Sequence, residues 1–309
     1  MNIKKSIDEL IGNTPLLELS RLKEKYNLYG NIIAKIEFFN PSSSIKDRAA
    51  REIIEDAKAQ GFLNKNSTII EPTSGNIGIS LSMIASINNY KAIMVMPSTM
   101  SVERQKLIKA FGAKIVLTDG KLGMKGAIEK ANELAKTIED SFIPHQFENL
   151  NNPLAHYKYT GAEIYRDSDG KIDYFVAGVG TGGTLSGTSK FLKEKNSDIK
   201  IIAVEPTGSP IISKGEKGPH KIQGIGAGFI PSNLDTAIID EVIVVDDSDA
   251  FSSSDTLAKT EGVLVGISSG AALKAAIEIA SRKENKDKNI VVVLADTGER
   301  YLSTSLFNS

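Results

Sequence analysis

The chain has no cysteine, no tryptophan and only three histidines in 309 residues. Without cysteine there is no disulfide, no thiolate-bound zinc, no iron–sulfur cluster and no thiol nucleophile. The histidines, His145, His156 and His220, are scattered, which argues against a His-based metal cluster or a Ser-His-Asp arrangement. An excess of one charge is also missing. Lys+Arg at 37 against Asp+Glu at 38 leaves a net charge of −1, with no footprint for nucleic acid or an anionic lipid surface. No apolar run approaches the roughly 18 residues of a membrane span, and MNIKKSIDEL lacks a signal-type apolar core, so a cytoplasmic protein is expected. What is present is ordinary for a globular protein: 41% hydrophobic and 24% charged residues, enough for one large or two medium domains. Whatever chemistry the chain performs calls for a borrowed reactive group.

Short apolar, β-branched runs alternate with helical periods along the whole chain. Strands are predicted at NIIAKIEF (31–38), STIIEP (67–72), KAIMVM (91–96), AKIVLT (113–118), DYFVAGV (173–179), IKIIAVE (199–205), DEVIVV (240–245) and NIVVVLA (289–295). Apolar on both faces, they read as strands buried in parallel sheets. Helices are predicted between them, including RAAREIIEDAKAQG, SVERQKLIKAFG, GMKGAIEKANELAKTIE and SGAALKAAIEIASRK, the first ending at Gly61. The fold class is α/β, with helices covering the sheets. The polar segment 141–152 is expected to separate two halves, and the Gly-, Pro- and Ser-rich stretch 208–233 to form a long surface loop.

Four turns have the composition of ligand-binding loops. GVGTGGT (178–184) follows a strand and opens a helix, where converging amides and the helix dipole suit a phosphate. The same residues fit G-x-G-x-x-G through Gly178, Gly180 and Gly183, with Glu205 where a dinucleotide site would place its ribose-binding acid. Taken alone, the motif does not separate a single phosphate from a dinucleotide. EPTSGNIGIS (71–80) gathers hydroxyl and amide groups at a helix start, suited to a carboxylate or phosphate, although Thr73 or Ser74 serving as a simple N-cap explains it equally. In NPSSSIKDR (40–48), Lys46 stands against the dipole preference of a helix N-terminus. It reads either as a solvated surface lysine or as one of depressed pKa, fit to form a Schiff base and move protons. GISSGAA (266–272) is a fourth small-residue turn, for which capping alone is a sufficient account. In open α/β sheets ligands collect beyond the carboxyl ends of strands, so the four together carry more than any one.

Taken in order with IQGIGAGFIP (222–231), these segments resemble the cysteine synthase (O-acetylserine sulfhydrylase) family of pyridoxal-phosphate enzymes, from NTPLLEL (13–19) to DTGERYLS (296–303). The resemblance implies the fold type II architecture of two open, twisted, mostly parallel sheets flanked by helices. Residues 1–40 with 151–309 would form the larger, phosphate-binding domain and 41–150 the smaller. It implies pyridoxal 5′-phosphate held by Lys46, a phosphate cup of Gly180, Thr181, Gly182, Gly183 and Thr184, Asn76 at the cofactor's 3′-oxygen and Ser268 at its pyridine nitrogen. Thr73, Ser74, Gly75 and Gln146 would hold the substrate carboxylate. Lys46 would double as the general base, and no metal is implied. The implied reaction is β-replacement of the acetate of O-acetyl-L-serine by sulfide, in a homodimer that often binds the C-terminal tail of serine acetyltransferase. The chain departs from the family's T-S-G-N-T-G loop at Ile77, which loses a hydroxyl and leaves donor and acceptor open. Serine or cysteine as donor, and thiosulfate, cysteine or homocysteine as acceptor, are the alternatives. Cystathionine β-synthase shares the motifs but carries a haem-binding extension and a regulatory module that are not expected here. An NAD-dependent dehydrogenase built on the glycine fingerprint is the alternative from another class.

Overall fold

The computed structural model describes Ile3–Phe307. Its strands are β1 (Leu16–Glu18), β2 (Asn31–Ile36), β3 (Thr68–Pro72), β4 (Lys91–Pro97), β5 (Lys114–Thr118), β6 (Ser141–Phe142), β7 (Tyr174–Gly178), β8 (Lys200–Pro206), β9 (Glu241–Val245) and β10 (Asn289–Leu294). The helices are α1 (Ser20–Tyr26), α2 (Lys46–Ala59), α3 (Asn76–Asn88), α4 (Val102–Ala110), α5 (Gly123–Thr137), α6 (Asn151–Ala155), α7 (Ala162–Asp167), α8 (Gly183–Lys195), α9 (Ile211–Lys214), α10 (Asp247–Glu261) and α11 (Ile267–Ala280). One π-helical turn, His156–Gly161, joins α6 to α7.

The strands make two sheets. One has the order β1-β2-β10-β7-β8-β9, parallel except for β1, and the other is the parallel β5-β4-β3-β6. Strands such as β3 and β8 bury both faces because helices cover both sides, which is why they read as short apolar, β-branched runs. In the larger sheet, α10 and α11 pack on one face around Leu257, Leu273 and Val292, and α8 on the other around Phe175, Leu185 and Ile201. In the smaller sheet, α2, α3 and α4 cover one face through Ile54, Ile79 and Ile108, and α5 covers the other through Ala127 and Ala131. Burying a side chain of leucine or isoleucine size contributes about 1.5–3 kcal/mol, so each layer is held chiefly by these contacts.

All eight expected strands form, and two more appear. β1 is a three-residue edge strand, and β6 lies inside the segment expected to be a linker, where Ser141 and Phe142 pair with Thr68 and Ile69 of β3. The stretch 208–233 is irregular as expected, apart from α9, but it is not simply a surface loop: Ile222 is fully buried and Ile225 nearly so. Apolar residues in that stretch turn inward and roof a cavity. No helix among the described residues is long and apolar enough to cross a membrane.

Candidate active site

A cavity of about 350 Å³ lies beyond the carboxyl ends of strands from both sheets, the position where open α/β sheets bind ligands. The smaller-sheet side supplies Thr73, Ser74, Asn76 and Gln146, and Lys46 enters at the start of α2. The larger-sheet side supplies Gly180, Thr181, Gly182, Thr184 and Ser268. Of the residues singled out in the sequence, Gly75 and Gly183 do not line the cavity: Gly75 backs onto Arg104 and Gly183 onto Asn152.

Lys46 is the first residue of α2, and it is half-buried rather than solvated. Burial lowers its pKa to about 8, partly opposed by the charge of Asp296. Its loop is stitched to the chain leaving β10: Ile45 N–H donates to the Ala295 carbonyl at 2.9 Å, and Ser44 bridges Asp296. One turn into α2, Arg48 is fully buried and bonds Glu37 (2.7 Å) and Glu163 (2.7 Å), while Lys35 also reaches Glu163 at 2.9 Å. This ionic cluster ties the start of α2 to β2 and α7.

The turn before α3 is organised by Thr73, whose hydroxyl oxygen accepts the amides of Gly75 (2.9 Å) and Gly78 (3.3 Å). Gly75, not Thr73, is the N-cap residue of α3, but the Thr73 oxygen satisfies the Gly78 amide of its first turn, which leaves the Thr73 hydroxyl proton free to donate. Gly75 has φ +149°, outside the range L side chains adopt, and a Cβ there would collide with Arg104. Arg104, fully enclosed, stacks on the Tyr301 ring at 4.8 Å, donates to its hydroxyl at 2.8 Å and also bonds Gln223. Gln146 is held from three sides. Its carbonyl accepts from Asn152 and Asn233, both at 2.8 Å, and its amide approaches Glu71 at 3.4 Å. Glu71 is fully buried with no cationic partner among the described residues, and burial pushes its pKa up to about 8 against the backbone donors of Gln146 and His145.

On the other side, α8 begins at Gly183 directly after the glycine loop, so its first amides have no intrahelical acceptor, an arrangement suited to an anion. A Cβ at Gly180 would strike the Gly224 carbonyl oxygen, so only glycine lets the loop lie this close to the cavity roof. Thr181 Oγ1 accepts from Asn152 at 2.9 Å, and Thr184 Oγ1 lies 3.2 Å from Nε2 of His156. Burial, followed by the charges of Lys46 and Arg48, holds His156 well below the ordinary histidine pKa, so it is neutral.

The dinucleotide alternative loses its acid. Glu205 is buried, and its carboxylate accepts the Ile212 amide (2.7 Å), the Ser213 amide (3.0 Å) and the Ser213 hydroxyl (2.5 Å), capping α9. Sequence reasoning missed Arg104, His156, Asp296 and Tyr301. On sequence alone Arg104 is one more charge on a charge-rich helix. Asp296 and Tyr301 belong to the DTGERYLS segment, where no neighbour in sequence gives either a role. Among the described residues, no group of His, Cys, Asp or Glu is placed to hold a metal ion.

The model of the pyridoxal-phosphate dependent enzyme family matches residues 7–296. Cysteine synthase B of Campylobacter jejuni is 52% identical over 307 residues, covering 99% of this chain and 100% of the relative. The structure of a cysteine synthase from Entamoeba histolytica superposes with a TM-score of 0.96 at 45% identity, covering 100% of this chain and 92% of that one. A hydrogen sulfide-producing enzyme of Fusobacterium nucleatum superposes with a TM-score of 0.93 at 47% identity, covering 97% and 100%.

Proposed function

The chain belongs to the pyridoxal-phosphate dependent enzymes, in the fold type II branch that holds the cysteine synthases, and from that premise we propose that it makes L-cysteine and acetate from O-acetyl-L-serine and sulfide. One observation carries the reading. A half-buried lysine of lowered pKa shares a single cavity with a helix-opening glycine loop and a hydroxyl-rich turn.

The residues fit the cofactor. Lys46 would bind it covalently, the amides of the Gly180–Thr184 loop with the Thr181 and Thr184 hydroxyls would take its phosphate, Asn76 its 3′-oxygen and Ser268 its ring nitrogen. Bound there, pyridoxal phosphate supplies the electron sink that side chains lack. The neutral hydroxyl of Ser268 does not stabilise positive charge on a ring nitrogen as a carboxylate would, which favours β-elimination chemistry over transamination or racemisation. Thr73, Ser74 and Gln146 receive the substrate carboxylate at the α3 N-terminus, where the helix dipole adds to their hydrogen bonds, while Gly75, whose amide is taken by Thr73, shapes the turn without facing the cavity. Lys46 Nζ, with a pKa lowered to about 8, is a general base matched to the Cα proton near neutral pH. Closure of the α3–α4 side over the substrate would exclude water.

By the same reasoning, residues 1–40 with 151–309 form the larger domain and 41–150 the smaller. The protein is a cytoplasmic homodimer, and the serine acetyltransferase tail is a partner. A second reading rests on Ile77, which lines the cavity without the hydroxyl of the family's usual loop. It assigns a different donor or acceptor, such as cysteine consumed to release sulfide, in keeping with the hydrogen sulfide production of the Fusobacterium nucleatum relative.

The test is incubation of purified protein with pyridoxal phosphate, followed by assay with O-acetylserine and sulfide. A visible absorption band and cysteine formation are expected, with Lys46→Ala abolishing turnover by at least about 10³-fold. Protein that stays colourless overturns the cofactor assignment. Coloured protein that turns over cysteine or serine but not O-acetylserine selects the second reading, and Ile77→Thr then tests whether that position sets the choice.

A further inference from the structure

We infer that Asp296 and Arg300 form a positioning pair that decides which end of the Asn76 carboxamide faces the cofactor, an inference that rests on the reading of Asn76 as the donor to the cofactor's 3′-oxygen. A carboxamide has two ends of similar shape and opposite hydrogen-bonding character. At Asn76 the two are told apart by charge. Oδ1 accepts from Nη1 of Arg300 at 2.6 Å, and Nδ2 donates to Oδ2 of Asp296 at 2.7 Å. A flipped amide would set Nδ2 against the guanidinium and Oδ1 against the carboxylate, turning two charge-assisted bonds into two repulsions. Nδ2 carries two hydrogens, so one remains for a ligand in the cavity that Asn76 lines.

The pair is itself immobilised. Asp296 is 0% and Arg300 2% exposed. Arg300 also donates to the Ser42 carbonyl, and the same Asp296 oxygen accepts the Tyr301 hydroxyl at 2.7 Å. Tyr301 is in turn bonded and stacked by Arg104 of α4. Asp296 sits in the segment that pairs with Ser44 ahead of Lys46. One stretch of chain thus positions both the lysine and the amide. Asp296 has a second, separable effect, because its charge also acts on Lys46.

Five variants separate the two effects: Asp296→Ala removes acceptor and charge, Asp296→Asn removes the charge but keeps an oxygen acceptor, Asn76→Ala removes the amide, and both changes at 296 are also made in the Asn76→Ala background. Readouts are the pyridoxal phosphate dissociation constant by fluorescence titration and the position of the bound cofactor's visible band. D296A is expected to weaken cofactor binding by about tenfold relative to D296N, the upper weight of a neutral hydrogen bond, and to shift the band. In the N76A background the two are expected to agree within about twofold. A D296A–D296N difference that persists without Asn76 overturns the proposal, as does native cofactor affinity in D296A. Native affinity and spectrum in N76A overturn it together with the underlying reading, and that outcome is recognisable because Asn76 itself is then silent. If D296A fails to fold by circular dichroism, Arg300→Met against Arg300→Gln asks the same question at the other end of the amide. R300Q, which retains an N–H donor to Oδ1, is expected to bind the cofactor more tightly than R300M, and equal affinities overturn the proposal.

Discussion

Glu163 and Glu71 are both carboxylates withdrawn from solvent near the cavity, but Glu163 meets Arg48 and Lys35 whereas Glu71 meets only backbone amides. Burial raises both pKa values. At Glu163 the hydrogen bond and charge of Arg48, with Lys35, more than reverse it and hold the group at about 2. At Glu71 no described residue of opposite charge is a partner and the group rises to about 8. Burial alone therefore does not set the sign of a shift; the partner does. The start of α2, with Lys46, is anchored by full charges. The turn that carries Gln146 is anchored beside an acid that stays neutral at ordinary pH.

The comparison can be broken in three places. The largest effect is expected from Glu71. Its folded pKa lies above its unfolded value, so the folded state keeps a proton that the unfolded state releases as pH rises. Its contribution is therefore greatest below about pH 4.5, falls between 4.5 and 8 by up to about 5 kcal/mol, and is flat above. Glu71→Gln should remove that decline, so the variant gains on the native chain as pH rises in denaturant titrations. An equal difference at pH 5 and pH 8 would show that Glu71 ionises normally. Next is Arg48→Met, which leaves Glu37 and Glu163 buried without their guanidinium and should cost about 3–5 kcal/mol in denaturant unfolding. A loss below about 1 kcal/mol would mean that the cluster does not anchor α2. The smallest effect belongs to the acid limb. Glu163 has a depressed folded pKa, so its contribution is complete above about pH 4.5 and is lost toward pH 2, by about 3 kcal/mol. Glu163→Gln should flatten that limb, and an unchanged slope would assign acid unfolding to other groups.

Much of this molecule was legible in the sequence for physical reasons that can be named. The buried parallel strands announce themselves as β-branched runs because both faces are covered. β1 and β6 do not, since two or three residues at a sheet edge carry no periodicity. The glycine loop and the Thr73 turn were legible as helix-opening turns because a helix N-terminus favours particular residue types within a few positions. Lys46 was ambiguous: its neighbours in sequence do not reveal that Ala295 and Asp296, some 250 residues on, close over its loop. Glu205 misled, because an acid after a strand caps a helix as readily as it binds a ribose. Arg104 and the Asp296–Arg300 pair were silent, since their roles exist only where α4, α3 and the chain after β10 converge.

The position of β10 in the larger sheet has a kinetic consequence. It is the last strand in sequence but lies between β2 and β7, and Asn31 on β2 meets Asn289 across 258 residues. During synthesis the smaller sheet, drawn wholly from residues 68–142, can close early from local pairings. β2, with β1 on its outer edge, has no parallel neighbour until β10 emerges, and such long-range pairing is slow because loop closure precedes any reward. The nascent chain would hold Lys46 and the Thr73 turn while the partners on the far side of the cavity are still incomplete. Competence to bind the cofactor would then arrive as a late, single event of folding.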